Sequence, residues 1–125
     1  MFSHVVVGSN DIPAAKRFYD ATMTALGVGP ARTLGDWLLY LTPSGNFMVT
    51  KPIDGQPATF ANGGTIGLRA ASPAIVDAWH AAGVAAGGTT CEDPPGLRNK
   101  GMKMYAAYLR DPQGNKLCAL CSMPD

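Results

Sequence analysis

The chain has 125 residues, 46% of them hydrophobic and 15% charged, with a formal net charge of +1 at pH 7. That is enough apolar material for one domain, or for two half-domains sharing a core. The near-neutral balance and the lack of a basic run give no electrostatic case for nucleic acid, and no apolar run approaches the roughly 20 residues that span a bilayer.

Met1-Phe2-Ser3-His4 has neither the basic nor the apolar region of a secretory leader, so a cytoplasmic location is expected, with no nucleic-acid or membrane partner. Residues 2–8 then form an apolar, β-branched run that predicts a buried strand. Asn10 and Asp11 offer helix caps, and Pro13 suits a first helical turn. Ile12, Ala15, Phe18, Tyr19 and Leu26 recur at helical spacing until Gly27 and Gly29 end the helix. Three shorter strands are predicted at 31–34, 37–42 and 47–51, with Pro43-Ser-Gly-Asn46 as a turn between the last two.

Pro52, Gly55, Pro57, Asn62 and Gly63 mark the next stretch as a linker. The same order then returns. Residues 64–70 predict a strand, Ser72 and Pro73 open a second helix, and Ile75, Val76, Trp79 and Ala86 form its apolar stripe until Gly87-Gly88. Strands at 89–92, 104–110 and 116–122 follow, the last preceded by the turn Asp111-Pro-Gln-Gly-Asn115. Phe18-Tyr19 and Trp79-His80 occupy matching places in the two helices, as do Gly27 and Gly88 at their ends.

The reading is therefore α+β, with two tandem βαβββ modules: module one at 1–52, a linker at 53–63 and module two at 64–125. One helix covers only one face of such a sheet. Side by side, two modules can curl their open faces into one cupped, mostly antiparallel pocket for a small-molecule ligand. Cys118 and Cys121 have CxxC spacing, but three residues of strand place them about 10 Å apart on opposite faces, which suits neither a disulfide nor two ligands of one zinc ion. Buried thiols are expected.

His4-Val-Val-Val-Gly-Ser-Asn-Asp-Ile12, Ala15-Lys-Arg-Phe-Tyr-Asp20 and Tyr105-Ala-Ala-Tyr-Leu-Arg-Asp-Pro-Gln-Gly-Asn115 together resemble the vicinal oxygen chelate superfamily. This is the glyoxalase, bleomycin-resistance protein and extradiol dioxygenase group. Ala71-Ser-Pro-Ala-Ile-Val-Asp-Ala-Trp-His-Ala-Ala82 resembles the second-module helix of its small bacterial members. The resemblance spans nearly the whole chain. It implies the two-module cup and, as in many relatives, a homodimer, in some cases with the cup built from modules of two chains.

Metal-dependent members place one ligand on each of four cup-facing strands. Carried over, those positions are His4, Met48, Ile66 (or Thr65 if the register slips by one) and Cys118. Only His4 matches, and with two histidines and one glutamate, Glu92, a His/Glu chelate from one chain would need all of them to converge; a His4/Cys118 pair would suit a soft metal such as zinc only with a third ligand. No metal or cofactor is expected. A ligand pocket of His4, Trp37, Met48, Ile66, Tyr105 and Cys118 follows from the resemblance, with Trp37 and Tyr105 as aromatic walls. Each of these residues also has a plain packing explanation. Arg98, Lys100 and Lys103 sit in the loop before Tyr105, either simply solvated or meeting an anionic group. The expected function is metal-free ligand binding. The alternatives are a metal-dependent lyase, isomerase or dioxygenase, and a metal-free enzyme using His4, Tyr105 or Cys118.

Overall fold

The structure, a computed structural model, describes residues 1–99 and 101–124. Its first half runs β1 (His4–Gly8), α1 (Ile12–Ala25), β2 (Arg32–Leu34), β3 (Trp37–Thr42) and β4 (Gly45–Thr50). The second runs β5 (Ile66–Arg69), α2 (Pro73–Ala85), β6 (Thr89–Thr90), β7 (Gly96–Asn99), β8 (Lys103–Arg110) and β9 (Lys116–Ser122). The caps are those the sequence predicts: Asp11 accepts from the Ala14 amide, Ser72 accepts from the Ile75 amide, and each helix has proline in its first turn.

Two mixed sheets result, ordered β1-β4-β3-β2 and β5-β9-β8-β6, with β7 also on β8. Parallel β1–β4 and β5–β9 pairs join otherwise antiparallel ladders, and the α+β class holds. Two details differ from expectation. The strand predicted at 89–92 stops at Thr90, and Glu92 takes a left-handed backbone with φ 57°. The stretch around Arg98, expected as a loop, contributes strand β7, antiparallel to β8. Pro94 and Pro95 before it hide the strand signal. Lys100, the middle member of the predicted cationic cluster, lies outside the described residues.

Each sheet turns one face toward the helices. Val7, Leu38, Tyr40, Phe47 and Val49 of the first sheet and Leu109, Leu117 and Ala119 of the second join Phe18, Tyr19, Val76 and Trp79 of the helices in one core. Burying each large apolar side chain contributes about 1.5–3 kcal/mol. The two sheets share no strand pair, and the main contact between the halves is α1 on α2. Gly88 sits at this join. A Cβ there would lie 2.4 Å from the Phe18 ring and 2.9 and 3.0 Å from the carbonyls of Gly83 and Arg110, so only glycine fits.

A buried polar network ties the halves as well. Tyr19 of α1 donates its hydroxyl to Asp111 Oδ2 at 2.5 Å, and Asn115 Nδ2 donates to the same oxygen at 2.8 Å and to the Gly8 carbonyl at 3.0 Å. Among the described residues, no helix is long and apolar enough to cross a membrane.

Candidate functional site

Because the helices join the halves, each sheet keeps a second face that its own helix does not cover. In the first sheet the ladder register places His4, Val6, Asn46, Met48, Trp37 and Leu39 on that face. Leu41 follows Leu39 by alternation. Val6 is 43% exposed, Trp37 39% and Leu41 46%, so the face is both apolar and open. A cleft of about 680 Å³ lies over its β1 and β4 ends, lined by Val6, Trp37, Lys51, Pro52, Ile53 and Pro57 among others. The linker thus forms the far wall, and Lys51 at the rim is 3.7 Å from Asp36.

A second cleft, of about 660 Å³, runs between the start of β1, the β3–β4 turn, the end of α1 and β5. Its lining includes His4, Ile66, Gly67 and Arg69. His4 is exposed, and its Nδ1 is 2.7 Å from Ser3 Oγ.

The uncovered face of the second sheet has a different character. Gly67 pairs with Cys118, Cys118 with Tyr108, and Arg110 with Lys116, so these side chains share one face. Arg98 joins them through its pairing with Met104. The Tyr108 ring has the Arg98 guanidinium 6.0 Å from its centroid and the Lys116 ammonium at 5.3 Å. Lys116 also forms an ion pair with Glu92.

The six residues predicted as a pocket therefore separate. His4, Trp37 and Met48 share the open face of the first sheet. Ile66 pairs with Leu117 and packs against the core while lining the cleft it shares with His4; Gly67 takes the outward place in the strand, and Thr65, the position expected if the register slips by one, lies just before it on the same alternation as Gly67. Tyr105 pairs with Cys121, packs against the core and donates its hydroxyl to Asp77 of α2 at 2.7 Å. Cys118 is outward but only 4% exposed, held beneath Tyr108. Cys118 and Cys121 do lie on opposite faces, and both are free thiols. Ile53 and Tyr108 complete these surfaces without having been singled out from the sequence. Val6 was detectable by its alternation with His4; Tyr108 required the β8 register.

The donors at the four family positions do not fit a divalent ion. His4 offers nitrogen, Met48 a thioether, Ile66 only hydrocarbon (Thr65, one residue before it, a neutral hydroxyl) and Cys118 a thiol that burial pushes above its ordinary pKa, only partly offset by the Tyr108 hydroxyl. Among the described residues, no three His, Cys, Asp or Glu side chains gather to hold a metal. No hydrogen bond joins His4 to Cys118 among the described residues, and Tyr105 lies on the opposite face from Cys118.

All four tyrosines are held neutral. Burial, then the Asp111 charge, raises Tyr19; burial, then the Asp20 hydrogen bond, raises Tyr40; the Asp77 hydrogen bond raises Tyr105; and burial, then Cys118, raises Tyr108. A tyrosine whose folded pKa exceeds its unfolded value contributes stability that is complete below about pH 10 and is lost as pH rises above it. The phenolate absorbance at 295 nm should therefore rise at higher pH in the folded protein than in the urea-unfolded chain. Titration curves that coincide for the two states would contradict this.

Comparison with known proteins finds solved structures similar to this chain. A glyoxalase/bleomycin resistance protein from Albidiferax ferrireducens T118 is 56% identical, with a TM-score of 0.95, over 97% of this chain and 98% of that one. A glyoxalase-related enzyme from Fulvimarina pelagi is 17% identical, with a TM-score of 0.74, over 96% of this chain and 86% of its own. A glyoxalase/bleomycin resistance protein/dioxygenase family enzyme from Burkholderia phytofirmans PsJN is 16% identical, with a TM-score of 0.73, over 97% and 98%. The last two are evidence of shared fold alone. No family model matches the sequence, and no curated protein matches it.

Proposed function

We propose, from the premise that this chain belongs to the glyoxalase/bleomycin resistance protein family, that it binds a small, flat, largely apolar molecule without a metal ion. One observation carries the reading: the first sheet leaves Val6, Trp37 and Leu41 in the open, on a face bordered by a cleft of about 680 Å³. Such a concave apolar surface with an aromatic wall and a few polar groups at its edge suits a conjugated ligand. His4 and Asn46, on the same face, supply hydrogen bonds that orient it.

A second copy of the chain supplies the opposite wall. The helices occupy the join between the two sheets of one chain, so the open face of the first sheet meets the open face of a partner's second sheet. The product is a homodimer. Covering a bare apolar sheet face removes it from water, which drives the association.

Two measurements on protein purified without chelators test this reading. Sedimentation velocity should give a dimer, and elemental mass spectrometry should give substoichiometric transition metal. A monomer at high concentration would remove the shared cup. Stoichiometric metal that disappears in a His4→Ala variant would overturn metal-independent binding.

A further inference from the structure

The chain carries almost no net charge, yet its cations are unevenly placed. By ladder register, Arg69, Arg98, Arg110 and Lys116 all project from the uncovered face of the second sheet, where Glu92 pairs with Lys116. Three of these four side chains are half-buried against Tyr108 or neighbouring backbone.

What holds them is mostly neutral. Arg98 donates to the carbonyls of Asp93, Pro94 and Gly96 at 2.9–3.0 Å, using three of its five N–H groups. Arg110 donates to the Gly114 carbonyl at 2.7 Å and lies 5.2 Å from the Phe60 ring. Carbonyls and rings fix a guanidinium in place but do not cancel its charge. The face therefore sets held cations around the Tyr108 ring, with Glu92 paired to Lys116, and a surface carrying such an excess of positive charge attracts anions.

We propose that this face, around Tyr108, Arg98 and Lys116, is a binding site for an oxyanion group (carboxylate or phosphate) on a planar ligand. Tyr108 lies beside the planar part, while Arg98 and Lys116, both held against its ring, meet the charge. The inference rests on the small-molecule reading above and extends it. The apolar face takes the hydrocarbon part of the ligand and this face takes its acid. Glu92 limits the excess of positive charge, so its charge state sets how strongly the anion is held.

Calorimetric titrations with 2-naphthoate, 2-naphthyl phosphate and neutral 2-naphthalenemethanol test the proposal. A charge-assisted pair should make naphthoate bind about tenfold more tightly than the alcohol at low salt. Lys116→Met should bring that preference to about parity, and Glu92→Gln should enlarge it, each read as the ratio of anion to alcohol affinity within one variant. A phosphate that outbinds the carboxylate by about tenfold identifies the oxyanion as phosphate; near-equal affinities identify it as carboxylate. Equal affinity for alcohol and anions, or a preference untouched by Lys116→Met, overturns the anion site but leaves the small-molecule reading standing. Failure of all three probes to bind overturns both.

Discussion

Replacing Asp111 by alanine should lower the free energy of unfolding by about 3–5 kcal/mol, the cost of stripping a buried charged hub from its partners. Asp111 is 4% exposed. Its Oδ1 accepts from the backbone amides of Gln113 and Asn115, each at 2.9 Å, and its Oδ2 accepts from Tyr19 and from Asn115 Nδ2. Alanine would leave the fully buried Tyr19 hydroxyl without its acceptor and would release the turn that leads into β9. It would also loosen the tie from Asn115 to Gly8, which links the two halves. Tyr19→Phe removes a single donor and should cost only about 1–2 kcal/mol. Urea denaturation of both variants and the double variant measures the coupling. An Asp111→Ala loss below that of Tyr19→Phe would show that the turn does not depend on the carboxylate.

Replacing Trp37 by alanine should have the opposite profile. Affinity for 2-naphthalenemethanol should fall by about tenfold or more, as expected when a large aromatic wall is removed from an apolar site. Stability should change by less than about 1 kcal/mol, because a residue 39% exposed leaves little cavity behind. Trp79, fully buried between helix and sheet, is the contrasting case: its alanine variant should lose about 3–5 kcal/mol. Calorimetry and urea denaturation separate the two effects. If Trp37→Ala binds the probe as the parent does, the ligand sits elsewhere, with the His4 and Ile66 cleft the next candidate.

Most of the fold could be read from local chemistry. Asp11 and Ser72 announce their helices because a capping side chain acts on amides two or three residues away. The Asp111 turn announces β9 for the same reason. Features set by long-range contacts were less accessible. Strand β7 draws its hydrogen bonds from β8, and its own sequence, Gly96-Leu-Arg-Asn99 after two prolines, has no strand pattern. The bond from Tyr19 to Asp111 spans 92 residues, and nothing near either residue predicts it.

The candidate site divides the same way. His4, Trp37 and Met48 share the expected face because β1, β3 and β4 alternate cleanly. The resemblance puts Ile66 at the cup-facing position, or Thr65 if the register slips by one. The alternation of Ile66 and Leu68 with Gly67 and Arg69 already marks 66 and 68 as the core side, so the residues themselves were the better guide. Tyr105 and Tyr108 lie three apart in an apolar strand and so face opposite ways. Without the register, neither could be preferred as the outward ring.

In the proposed function the ligand is held by the protein's own side chains and no metal. Isothermal titration of 2-naphthalenemethanol into the protein, before and after exhaustive EDTA treatment, tests that claim most directly. The same affinity is expected in both samples, with no change on adding back zinc, nickel, manganese or ferrous iron. Binding that vanishes with EDTA and returns with one of those ions would contradict it.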